Sequence, residues 1–294
     1  MLFILALSFF VFGTIIGSFL NVVILRYNTG KSINGRSGCA NCRKPLEPHE
    51  LVPILSFALL RGRCSGCKSK ISWQYPLVEF FTGLLLILIF LKLFLPQGSL
   101  LNPFFAHPFL YVLAVGYLVI QASLLVVIFV YDLKHKIIPN GPVYAFAILS
   151  LVNLTVADGT HLLHFPYLLN LLAGPIFFLG FYLIWLVSRG RAMGFGDAKL
   201  VLGIGWFLGF VEGISALILG FWIGAVISIC LILTQYVSKN WLRKSGSKKS
   251  IMAKDKSELS MKSEIPFAPF LILGIIIAYA FNVDILSLHL LLGL

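Results

Sequence analysis

Apolar residues in this chain run in long unbroken stretches set apart by polar interruptions. Stretches of about 17–25 such residues have the length a bilayer-spanning helix requires. Eight are recognised, at 2–25, 77–95, 109–130, 138–157, 167–188, 200–215, 217–237 and 266–283. The pattern therefore predicts an all-α polytopic membrane protein of about eight transmembrane helices. The first span, 1–25, is followed by one sizeable polar segment, 26–76, which is rich in Gly, Pro, Ser, Lys and Arg and reads as a small cytoplasmic domain. The remainder, 77–294, reads as a membrane-embedded domain. It contains a second polar stretch, 238–264, low in large apolar residues and dense in charge, as expected of a basic cytoplasmic loop.

Composition agrees with lipid as the solvent, since 59% of residues are hydrophobic and 12% are charged. The mean hydropathy is +0.96, far above that of a soluble domain. The net charge of +12 raises nucleic-acid binding as an alternative, and the placement of the 23 basic residues decides against it. Nine lie in 26–70 and eight in 239–262; Lys134 and Lys136 follow the third span; Arg189, Arg191 and Lys199 flank the fifth-to-sixth connection; Lys92 stands alone. The connections at 96–108, 158–166 and around 212 have none. Alternate loops are thus basic and bare, which by the positive-inside rule puts both termini outside the cytoplasm. No aromatic-interleaved basic motif accompanies the charge, so no nucleic acid is expected as a partner. No Lys or Arg precedes the first apolar run, whereas Arg26 and Lys31 follow it, so it reads as a retained span rather than a secretory signal.

Four of the five cysteines form two C-x-x-C pairs in the polar segment, Cys39-Ala-Asn-Cys42 and Cys64-Ser-Gly-Cys67. Paired knuckles at this spacing are the signature of a tetrahedral structural zinc site, and four thiolates close the shell against water. Two disulfides are the alternative, which a reducing cytoplasm disfavours. The expected metal ligands are Cys39, Cys42, Cys64 and Cys67, with Zn2+ in a structural role, because so small a polar domain buries little core. His49 between the pairs reads as a surface residue, and Cys230 within the seventh span as a packing residue.

Carboxylates at the edge of apolar spans are costly to ionise and mark functional sites. Of 11 acidic residues, Glu79, Asp132 and Asp197 lie at span ends, and the charge pattern places all three on the cytoplasmic face. Two neighbouring aspartates tend to share a proton. That arrangement suits peptide hydrolysis, in which one carboxylate takes a proton from the attacking water and the other hydrogen-bonds the developing oxyanion. Gly194 and Gly196 beside Asp197 would allow close backbone approach. Read separately, Asp132 is equally a helix-end carboxylate paired with Lys134, Lys136 or Lys199, and Asp197 a residue favoured by a helix N-terminus. Glu79 is a weak candidate for cofactor or substrate binding beside a structural hydrogen-bonding role. A transporter with these groups as ion ligands is the rival class, and it would place them near the bilayer midplane.

The residues resemble the bacterial type IV prepilin peptidases, also called leader peptidase/N-methyltransferases, over nearly the whole length. The motifs in order are Gly17-Ser-Phe-Leu-Asn-Val-Val-Ile, both C-x-x-C pairs, Leu51-Val-Pro-Ile-Leu-Ser with Leu60-Arg-Gly-Arg-Cys, and Ile71-Ser-Trp-Gln-Tyr-Pro-Leu-Val-Glu. Asp132 with Ile138-Pro139, Gly194-Phe-Gly-Asp and Ile265-Pro-Phe-Ala-Pro-Phe follow. Tyr27-Asn28 and Ala268 depart from the family pattern. The resemblance implies that Asp132 and Asp197 are the catalytic aspartates and that the cysteines belong to a zinc-binding cytoplasmic domain. It further implies a bacterial inner-membrane enzyme with prepilins or pseudopilins as protein substrates and membrane lipid as its surroundings. Such an enzyme cleaves the leader at the cytoplasmic surface, then methylates the new amino terminus with S-adenosylmethionine.

Overall fold

A computed structural model describes residues 2–30, 32, 35–94, 108–159, 164–165, 167–244 and 266–288. Among them the chain forms eight helical stretches: α1 (Leu2–Arg26), α2 (Leu55–Leu59), α3 (Gln74–Phe94), α4 (Pro108–His135), α5 (Asn140–Asp158), α6 (Tyr167–Ser188), α7 (Phe195–Lys244) and α8 (Ala268–Phe281). Five are long and apolar enough to cross a membrane, namely α1, α3, α4, α6 and α7, while α5 and α8 are apolar but shorter. No strand occurs among the described residues, only two isolated bridges. The all-helical membrane architecture matches the sequence pattern. The helix α7 runs on through Lys244, into the stretch read as a loop, and residues 245–264 of that stretch lie outside the described ones.

The chain divides into two compact units, residues 1–131 and 132–294. In the first, α1 and α3 pack closely because glycines meet backbone. A Cβ on Gly13 would stand 2.7 Å from the Gly83 Cα, and one on Gly17 2.7 Å from the Glu79 Cα. Small residues at such a seam let helices approach where lipid supplies no hydrophobic drive. Leu20, Ile24 and Val78 then join Val126 and Val127 of α4 in one apolar cluster, and the Asn21 amide donates to the Tyr75 carbonyl at 3.2 Å.

Between α1 and α3 lie two similar hairpins. The Gly38–Pro45 bridge encloses the first cysteine pair and the Arg63–Lys70 bridge the second. Cys39 N–H donates to the Lys44 carbonyl at 3.0 Å and Cys64 N–H to that of Ser69 at 2.9 Å. The residue after each pair, Arg43 or Lys68, has a left-handed φ of 59° or 57°. A short turn at Pro48–Leu51 is tied to the second hairpin by Glu50, whose carboxyl the Ser65 hydroxyl, with the Glu47 N–H, holds below the ordinary carboxylate range.

In the second unit α7 is two helices, not one. Gly209, with φ 76°, interrupts it. Before the break, Phe195 lies beside Tyr182 and Trp185 of α6, Gly205 beside Gly174, and Gly209 beside Asn170. After it, Gly213 lies beside Phe177 and Phe221 beside Phe181. The chain thus descends α6 and climbs it again, a helical hairpin turning on one residue. Asn170 holds the turn, its Oδ1 accepting from Phe210 N–H at 3.1 Å. The sequence pattern placed this boundary at residue 216, between the apolar runs 200–215 and 217–237. The conformational break falls instead where glycine permits positive φ and a side-chain amide replaces the lost helical partner. With α8 packed against the second arm, Gly274 on Ala216 and Gly220 on Leu271, the unit is complete.

Candidate active site

Asp132 lies in the last turn of α4 and Asp197 in the first turn of α7. Both are buried, at 3% and 6% exposure. The two carboxyl groups are close enough for the charge of one to act on the other. Asp132 accepts a hydrogen bond from the Ala268 N–H at the start of α8. Asp197 accepts from the Gly194 N–H. One oxygen of each, Oδ2 of Asp132 and Oδ1 of Asp197, is buried with no hydrogen-bond partner. Buried carboxylate oxygens are ordinarily satisfied, so two orphans on neighbouring carboxyl groups mark a place for a further polar group. Among the described residues neither aspartate forms an ion pair, and Lys199 is engaged elsewhere. Its ammonium donates to Asn140 Oδ1 at 3.0 Å and lies over the rings of Tyr144 and Phe195, at 5.2 and 4.8 Å from their centroids.

The approach of Asp197 is set by its neighbours. Phe195 packs against Phe178, Tyr182 and Trp185 of α6. Gly196 meets Ile138, whose Cβ would be 2.8 Å from a Cβ placed on the glycine. The sequence suggested Gly196 as room for a substrate backbone; that room is filled by Ile138. Gly194 keeps a role at the carboxylate, since a Cβ there would lie 3.3 Å from Asp197 Oδ2. Asn140 and the Ala268 N–H are the contributors whose role motif reading did not show. The Ile138-Pro139 motif was the one visible hint. Ala268, a departure from the family pattern, contributes through its backbone, which any residue but proline supplies.

Glu79 sits in the first unit, 7% exposed. Its Oε2 accepts from the Ile54 N–H at 2.8 Å, and the Ser18 hydroxyl donates to the same carboxylate. Ile54 is the centre of a γ-turn, with φ 61° and ψ −49° and the Leu55 N–H bonded to the Pro53 carbonyl at 2.5 Å. That conformation is rare and strained, most of all for a β-branched residue.

The four knuckle cysteines converge, with all their sulfurs within 4.8 Å of one another. Cys39 and Cys67 stand 3.8 Å apart, and Cys42 and Cys64 4.0 Å. Tetrahedral zinc with Zn–S near 2.3 Å places sulfurs about 3.8 Å apart, whereas a disulfide needs about 2.05 Å. Ser69, through hydroxyl and backbone, draws the Cys67 thiol down to about 5. The Lys44 N–H also favours the Cys42 thiolate, yet the neighbouring thiols and burial carry that group up to about 11. Four sulfurs so close ionise together only around a cation, so the donor set fits a dication.

Two family descriptions match the chain: the Bacterial Peptidase A24 N-terminal domain over residues 11–93 and the Type IV leader peptidase family over residues 119–229. A prepilin leader peptidase/N-methyltransferase of Myxococcus xanthus is 34% identical, over 78% of this chain and 63% of its own length. The match therefore spans slightly under two thirds of that relative. One of Bacillus subtilis is 30% identical over 95% of this chain and 96% of its own. One of Klebsiella pneumoniae is 31% identical over 68% and 84%. No solved structure matches the chain. A relative matched from end to end, together with family descriptions that cover both the cysteine hairpins and the aspartates, makes this chain a member of the Type IV leader peptidase family.

Proposed function

We propose that this chain is a membrane-embedded aspartic endopeptidase that removes the leader from type IV prepilins or prepilin-like proteins, with Asp132 and Asp197 as its catalytic pair. The observation that carries the reading is the pair itself: two buried carboxylates in mutual electrostatic reach, each with an oxygen left unsatisfied. The pair holds one proton. Its ionised member takes a proton from water as the oxygen attacks the scissile carbonyl, and its protonated member hydrogen-bonds the carbonyl oxygen as it gains charge. Collapse of the tetrahedral species returns a proton to the departing amine and regenerates the shared-proton state. The Ala268 N–H and the Gly194 N–H orient the carboxylates throughout.

The charge pattern supports a cytoplasmic placement of this site in a bacterial inner membrane, where the leader of a prepilin would be presented. Substrate helix and site then share one membrane, which reduces the search for a productive orientation. Zn2+ in the four-thiolate cluster would brace the 26–76 domain. The second half of the reaction, N-methylation of the new amino terminus, draws its methyl group from S-adenosylmethionine. Glu79, the candidate contact for that donor, is already engaged by Ser18 and Ile54, so no residue is assigned to it. Leader processing by purified Asp132→Asn and Asp197→Asn variants tests the reading. If either variant cleaved a full-length prepilin at the normal rate, this pair would not be the catalytic one.

A further inference from the structure

The second cysteine hairpin and α2 enclose a cavity of about 670 Å³ that no part of the peptidase reading uses. Its size lies in the range of small-ligand sites, roughly 300–1,000 Å³. Arg61, Arg63 and Lys70 line it together with Phe57, Ile71 and Trp73. The Arg63–Lys70 bridge of the hairpin brings two of those cations side by side, and the Phe57 and Trp73 rings pack at 4.9 Å. Among the described residues none of the three cations has a carboxylate partner. The sequence has no Asp or Glu between Glu50 and Glu79. Three cations gathered with no carboxylate among them repel one another, and an anion in the cavity would offset part of that cost.

The surroundings identify which anion. Trp73 directly precedes α3, a helix that crosses the membrane, so the cavity opens at the level of the lipid headgroups, where tryptophan concentrates. Beside it stand the large apolar side chains Leu59, 81% exposed, and Trp73, 70% exposed, with Leu55 and Val52. Apolar surface of that kind next to a membrane is covered by acyl chains. We propose that this cavity binds the phosphate headgroup of an anionic phospholipid, its acyl chains lying over α2 and Trp73. S-adenosylmethionine is a poor occupant, because its sulfonium and ammonium outweigh its carboxylate and meet three more cations here.

The test uses the full-length protein in nanodiscs of phosphatidylcholine with a minor share of phosphatidylglycerol, followed by native mass spectrometry of the lipids retained on release. The wild type is expected to retain phosphatidylglycerol at least about tenfold above its share, given about fivefold per interfacial cation. Arg61→Gln/Arg63→Gln/Lys70→Gln should return the ratio to that of the bulk lipid, while Arg61→Lys/Arg63→Lys/Lys70→Arg should keep the preference. If the triple variant is not monodisperse or loses its metal, Arg61→Gln and Arg63→Gln taken singly should each lower the preference about fivefold. Equal retention of the two lipids by the wild type, or an unchanged preference in the glutamine variants, overturns the proposal. Displacement of the lipid by millimolar inorganic phosphate would show a free-phosphate site instead, and displacement by S-adenosylmethionine a methyl-donor site; either result also overturns it. None of these readouts depends on leader cleavage, so the proposal and the peptidase reading fail separately.

Discussion

Gly196 lies in direct contact with Ile138, at a distance that leaves no room for a side chain, since a Cβ there would stand 2.8 Å from the Ile138 Cβ. This contact joins the turn that follows the Asp132 end of α4 to the start of α7, which carries Asp197. Gly196→Ala should therefore force the segments apart, with an overpacking cost of about 1–3 kcal/mol. Leader cleavage is expected to fall at least about tenfold, as small displacements of catalytic groups have large effects. Adding Ile138→Ala should restore part of it. A double variant no better than Gly196→Ala alone, measured by kcat/KM on a purified prepilin, would separate Gly196 from this role.

The aspartates themselves should show the loss expected of acid and base groups. Asp132→Asn and Asp197→Asn are each expected to lower cleavage by roughly 10²–10⁴ or more and to leave thermal unfolding in detergent nearly unchanged. The double variant should be hardly worse than either single one, because the two act as a unit.

Metal removal should act on the small domain. One zinc per chain is expected in the wild type by elemental analysis, and none in Cys39→Ser/Cys64→Ser. Chelation should expose the region 35–73 to protease while the helices α4 to α8 stay protected. Full zinc content in the double-serine protein would refute the four-thiolate site.

Glu79 holds a strained turn, so the shape and charge of its replacement matter separately. Glu79→Leu leaves the Ile54 N–H without its partner and should cost about 1–3 kcal/mol, read as a lowered Tm. Glu79→Gln keeps an acceptor oxygen and should cost less. Ile54→Gly, which relieves the positive φ, should raise the Tm of the Glu79→Leu protein. If the two effects are unrelated, the glycine substitution will shift both backgrounds equally.

What the sequence displayed best was what depends on short spacing or on solvent. The C-x-x-C pairs announced the sulfur cluster because each knuckle is a local turn. The helices of the membrane followed from uninterrupted apolar runs, and Asp132 and Asp197 stood out because carboxylates are rare there. What stayed hidden depends on residues far apart in the chain. The hairpin at Gly209 needs Asn170 of another helix, whereas the apolar runs alone put the boundary at residue 216. The turn at Ile54 exists because Glu79, 25 residues on, accepts its N–H. Lys199 looked like a counter-ion for Asp132, but Asn140 and two aromatic faces hold it.

The one-residue turn at Gly209 also bears on how the protein enters its membrane. The arm 195–208 rises only about 21 Å at ~1.5 Å per residue, short of a hydrocarbon core of about 30 Å. It also carries Asp197 and Lys199, which by themselves oppose insertion. Such a segment has too little apolar length to partition on its own during synthesis. It goes in as the leading half of a couple, drawn by the longer arm that follows, so Asp197 is delivered to its depth by the helix after it.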